Sequence, residues 1–200
     1  AGQMPETDLT KEAEMPEITK SRIAILSTNG FEQSELEVPR DKLKEAGAEV
    51  HVISPDGETI TGWSGKNWGN DVTVDKGLKD ISASDYDALV LPGGQINPDI
   101  LRTKPEAVEF VKAMYNAGKV VAAICHGPWM LIEAGIAKGR KMTSYPSIRT
   151  DVENAGATWH DEPVIADQGL VTSRNPDDLD AFSAKIIEEI EEGRHDRAAA

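Results

Sequence analysis

Apolar and polar positions fall into blocks along this chain. Residues 22–27 (RIAILS), 49–54 (EVHVIS), 87–91 (DALVL) and 119–124 (KVVAAI) are short and almost continuously apolar, as expected of strands covered on both faces. Helical spacing fills the intervals. Residues 34–46 carry Leu36, Leu43 and Ala46 along one side and stop at Gly47; residues 105–117 open with proline and close at Gly118; residues 127–134 end before Gly135. Residues 176–192 place Leu179, Phe182, Ile186, Ile187 and Ile190 at helical intervals. Residues 56–75 are rich in Gly, Thr and Asn, contain Trp63 and Trp68, and read as an inserted hairpin. Segments 141–144, 157–159, 164–166 and 170–172 read as short later strands. Strand–helix alternation of this kind predicts an α/β fold, a mostly parallel sheet with helices on both faces.

Length and charge narrow the picture. Two hundred residues suit one ordinary domain, expected over residues 21–192, with residues 1–20 and 193–200 as tails. Net charge is −14, which repels phosphate backbones and anionic headgroups, so neither nucleic acid nor a membrane surface is an expected partner. The longest apolar run is far shorter than the ~20 residues that cross a bilayer. The first twenty residues hold five acids and two bases and lack an apolar stretch, so a cytoplasmic setting is expected. A single cysteine, Cys125, rules out an intrachain disulfide or a multi-cysteine zinc site, and no cofactor or metal is expected.

Chemistry concentrates where residues 120–128 (VVAAICHGP) run from strand to cysteine to a Gly-Pro helix start. That is the layout of a nucleophile elbow, a tight turn that presents one side chain at the top edge of a sheet. A helix amino terminus would favour the thiolate and lower the thiol pKa. The plain alternative is a small buried core residue. His126 follows directly, but neighbouring side chains usually diverge, so adjacency alone leaves it a capping residue or a base. Glu32 and Glu35 follow the first strand and belong at the same sheet edge, either as site acids or as favourable charges at a helix start. Pro92-Gly93-Gly94 ends the third core strand there too, where missing side chains let the backbone turn closely.

Taken together, FEQSELEVP (31–39), DALVLPGG (87–94), NPDILR (97–102), AICHGP (123–128), TSYP (143–146), NAGATW (154–159) and VTSR (171–174) resemble the PfpI family of intracellular cysteine proteases and general stress proteins. The resemblance implies a flavodoxin-like three-layer sandwich of the glutamine-amidotransferase-like superfamily. It implies Cys125 as nucleophile, Glu35 hydrogen-bonded to its sulfur with Glu32 nearby, and His126 paired with an acid from a neighbouring subunit at the position of Asp99. Backbone N–H groups of Gly94 and His126 would form the oxyanion hole beside Gly93, and Tyr145 would lie near the pocket. Expected partners are therefore a second copy in a homodimer or larger assembly, and a small carbonyl or peptide substrate. The function implied is a stress-related cysteine hydrolase, peptidase or deglycase; the alternative is a redox sensor that uses oxidation of Cys125. Glutamine amidotransferase chemistry is a third, disfavoured possibility; the later histidines, His160 and His195, stand in Trp-His-Asp-Glu and Arg-His-Asp.

Overall fold

The computed structural model describes residues 17–197; residues 1–16 of the tail expected over residues 1–20 lie outside them. The chain opens with β1 (Arg22–Leu26), α1 (Gln33–Glu45) and β2 (Glu49–Ser54), then the hairpin β3 (Thr59–Ser64) and β4 (Asn67–Thr73), and the two-residue β5 (Lys76–Gly77). The middle is β6 (Ala88–Leu91), α2 (Ile96–Leu101), α3 (Pro105–Asn116), β7 (Val120–Ile124) and α4 (Pro128–Glu133). It closes with β8 (Lys141–Met142), α5 (Arg149–Asn154), β9 (Thr158–Trp159), β10 (Ile165–Asp167), β11 (Leu170–Ser173) and α6 (Leu179–Glu191).

The main sheet has the order β10-β11-β7-β6-β1-β2-β5, and every pairing is parallel except β10 with β11 at one edge. Side chains alternate across it, as the two-residue period of a strand requires. Leu26, Leu89, Leu91, Val121 and Ala123 face α3, where Val111 and Met114 are buried. Ile23, Ile25, Val90, Ala122 and Ile124 share the opposite core with Leu36 of α1 and Phe182 and Ile186 of α6. Each of these side chains larger than alanine contributes about 1.5–3 kcal/mol by leaving water. Layers of helix, sheet and helix make this a flavodoxin-like sandwich, as expected.

Two short helices, α2 and α5, have no counterpart in the apolar pattern, and β8 pairs over two residues where four were expected. The inserted hairpin is present as β3 and β4. No helix among the described residues is long and apolar enough to cross a membrane. Because the inner strands are parallel, their carboxyl ends meet at one edge, and the loops after β1, β6 and β7 converge there.

Candidate active site

Cys125 terminates β7 with φ 62°, a left-handed backbone that costs a non-glycine residue about 1–3 kcal/mol. Its surroundings hold it in place. The Cys125 N–H donates to the Ser173 carbonyl at 3.0 Å, its carbonyl accepts from Tyr145 N–H at 2.9 Å, and Gly127 N–H donates to Ile124 O at 2.8 Å. Glycine is required beside it: a Cβ at Gly127 would stand 2.6 Å from Leu91 O, and one at Gly93 would stand 2.6 Å from Ile124 O.

The reversed backbone resolves the adjacency problem. Cys125 Sγ lies 3.1 Å from His126 Nδ1, so two consecutive side chains enter one pocket. The imidazole stacks on Tyr145 at 5.0 Å between centroids and meets Trp129 edge-on at 5.0 Å. Ser147 Oγ is 3.5 Å from its Nε2, and the Trp129 indole donates to Asp151 at 3.0 Å. Trp129, Ser147 and Asp151 were not evident as site residues in the sequence. Trp129 stands one helical turn past His126, the single hint available.

Glu35, near the start of α1, is fully buried, and one of its oxygens accepts the Gly93 N–H at 3.0 Å. Its other oxygen is buried without a conventional hydrogen-bond partner among the described residues, with the Cys125 sulfur close enough to act on its titration. Burial, reinforced by the charge of Glu32, pushes the Glu35 carboxyl well above the usual carboxylate range, against weaker pulls from Gly93, Cys125 and Gly94. That shift favours the protonated carboxyl, which can donate a hydrogen bond. Glu32 itself is raised by burial alone.

The thiol departs from expectation. Burial pushes Cys125 far up and the neighbouring Glu35 carboxyl adds to this, while the backbone N–H groups of Gly94 and His126 pull only part of the way back. A six-residue α4 does not offset the desolvation of a residue 6% exposed. His126 is pushed down by its own burial, with Asp151 opposing. Thiol and imidazole thus rest as a neutral pair.

A cavity of about 500 Å³ opens over these groups, with Glu32, Trp63, Gly94 and Tyr145 on its walls. Gly94, at φ 78°, has room for no side chain: a Cβ would sit 2.5 Å from Gly30 O. Trp63 comes from the inserted hairpin, which reaches the site through a bridge to Glu32 and a Trp63 N–H bond to Phe31 O at 2.7 Å. Asp99 does not reach His126 within one chain. It is exposed on α2 and 3.6 Å from Arg102, whose guanidinium lies 4.6 Å over the Trp129 ring.

A parallel three-layer sandwich with a cysteine on a strained turn at its carboxyl edge defines an α/β protein of the nucleophile-elbow type. Within that class, residues 21–189 match the DJ-1/PfpI family, and the chain belongs to it. It is 46% identical over 166 residues to "Deglycase TK1284" of Thermococcus kodakarensis, covering 83% of this chain and 97% of the relative. It is 46% identical over 168 residues to "General stress protein 18" of Bacillus subtilis, covering 83% and 95%. The crystal structure of Drosophila melanogaster DJ-1beta superposes with a TM-score of 0.79 at 29% identity, over 86% of this chain and 91% of that one.

Proposed function

We propose that this chain is a stress-related deglycase or hydrolase in which Cys125 attacks a carbonyl carbon of a small glycated amine or peptide. The observation that carries it is the 3.1 Å approach of Sγ to His126 Nδ1 at the strained elbow. A relative 46% identical bears the name deglycase. Because the thiol is protonated at rest, the imidazole accepts its proton as the C–S bond forms, and the carbonyl π pair moves onto oxygen. The N–H groups of Gly94 and His126, which already act on the sulfur, stabilise that oxyanion. On a peptide amide the carbonyl re-forms, the C–N bond breaks, the amine leaves with the imidazolium proton, and water releases the acyl group from sulfur; on a methylglyoxal aminocarbinol the amine leaves first, the thiol adds to the freed aldehyde, and a proton moved from C1 to C2 turns the hemithioacetal into a lactoyl thioester that water hydrolyses. Neutral Glu35 donates to the sulfur and keeps a second negative charge out of the pocket. The net charge of −14 favours glycated amino acids and peptides over long nucleic acids as substrates.

Replacing Cys125 by serine tests this directly. Turnover of methylglyoxal-treated amino acids and of peptide amides is expected to fall by at least about 10³-fold with the melting temperature little changed, since an unactivated hydroxyl is a poor nucleophile. Activity retained within a few-fold would end the proposal. Peroxide-dependent mass gain at Cys125 without turnover of either substrate in the wild type would favour the redox-sensor alternative.

A further inference from the structure

Beyond the end of α6 the chain turns at Gly193 (φ 89°) and runs back along the amino edge of the sheet, opposite the Cys125 site. His195 N–H donates to Gly118 O at 2.7 Å. Arg197 donates to the carbonyls of Gln168 at 2.6 Å and Tyr115 at 2.9 Å, and lies 4.0 Å over the Tyr115 ring. Two glycines make room for this path. A Cβ at Gly169 would stand 2.5 Å from the His195 ring, and one at Gly118 would stand 2.6 Å from His195 O.

That route delivers an imidazole to the end of a helix whose Glu189 and Glu192, three residues apart, share a face. One donor atom from each of Glu189, Glu192 and His195 lies within 4.8 Å of the others. His195 Nε2 is 3.4 Å from a Glu189 carboxyl oxygen and 3.2 Å from the Glu189 carbonyl. Ligands bonded at about 2.0–2.2 Å around one tetrahedral ion stand roughly 3.5 Å apart, so a rotation of the exposed Glu192 completes the set.

A second observation points to a cation. The Glu189 side chain is only 9% exposed and that of His195 12%, yet among the described residues no lysine, arginine or backbone N–H bonds the Glu189 carboxyl. Lys185 is taken by Glu188 at 2.9 Å, and Arg197 by the carbonyls above. A metal would supply the positive charge that a buried carboxyl beside a second carboxyl, with only His195 against it, otherwise lacks.

We propose that Glu189, Glu192 and His195 bind one divalent transition-metal cation of the zinc and cobalt class, tying residues 193–197 to α6. Two carboxylates and one imidazole suit such ions. On binding, the metal gains three bonds, and any proton carried by a ligand leaves to water. Lys185, Glu188, Glu191, Arg194, Asp196 and Arg197 are the other charged groups along this path; Lys185 is paired with Glu188 and Arg197 with backbone carbonyls.

The test titrates the full chain with zinc chloride by calorimetry and with cobalt(II) by visible absorption, in wild type and in the C125S, E192Q and H195A variants. One zinc equivalent is expected in wild type and in C125S. Cobalt should give ligand-field bands without a thiolate charge-transfer band, and zinc should raise the melting temperature. E192Q, altered at an exposed side chain, and H195A should each weaken binding at least tenfold while the metal-free melting temperature stays near wild type. Absence of saturable binding at pH 8, or binding lost in C125S and undiminished in H195A, would overturn the site; the second pattern would place the ion at the elbow instead.

Discussion

At Cys125 a left-handed backbone and a buried thiol coincide, and the two can be separated by substitution. Ala and Gly both remove the sulfur, but only Gly is at ease at φ 62°. C125G is expected to be more stable than C125A by ~0.5–1 kcal/mol in urea denaturation, the reverse of the usual order at a negative φ; the usual order would show that the elbow carries no strain. Glu35 gives a pH signature. Its native pKa is raised above the unfolded value near 4.5, so the native state holds a proton that the unfolded chain has lost. Its contribution is complete below about pH 4.5 and declines as pH rises toward the native pKa, at up to ~1.4 kcal/mol per pH unit. E35Q is neutral at every pH and can still accept the Gly93 N–H, so its stability relative to wild type should climb between pH 5 and 8; parallel curves would mean that Glu35 ionises freely. The cysteine and both glutamates were legible because motif and strand end point to them. The Sγ–Nδ1 contact was not, since it depends on the sign of one dihedral angle.

Among elements, those that cross the core announced themselves. β1, β6 and β7 are buried throughout or nearly so, and α1, α3 and α6 each run at least three turns, long enough for their periodicity to show. α2 and α5 span six residues each, under two turns, and α5 buries only Val152. Their helicity comes from docking against the rest of the fold rather than from an apolar stripe. Strand order was equally hidden, because alternation specifies neither neighbour nor edge. The loop after β6 shows how tightly the site-bearing turns are packed. A methyl at Gly93 would meet Glu35 Oε1 and Ile124 O at 2.6 Å each, whereas one at Gly65, in the hairpin turn, would meet nothing within 4 Å. G93A should therefore cost about 1–3 kcal/mol and abolish activity, by overpacking that backbone atoms cannot relieve. G65A should cost about 1 kcal/mol, from its φ of 63° alone. Equal losses in thermal unfolding would show that the Gly93 turn yields.

For the whole molecule, the open question is what lies beyond Asp99. It is an exposed acid paired to Arg102, on a helix that adjoins the elbow helix. If the resemblance holds, a second copy receives it, and the assembly is at least a dimer. Light scattering should then return at least twice the 21.6 kDa chain mass. Mixing makes the sharper test, because a shared triad would leave C125S and D99A subunits each inactive for different reasons. In randomly reassorted two-fold dimers half the molecules are mixed, and each has one intact site, so activity should recover to about a quarter of wild type per chain. Recovery near zero with confirmed exchange would show that Asp99 serves no neighbour. A single-chain mass at micromolar concentration, or full activity in D99A alone, would leave His126 supported by its own chain, through Tyr145, Ser147 and the Trp129 indole anchored on Asp151.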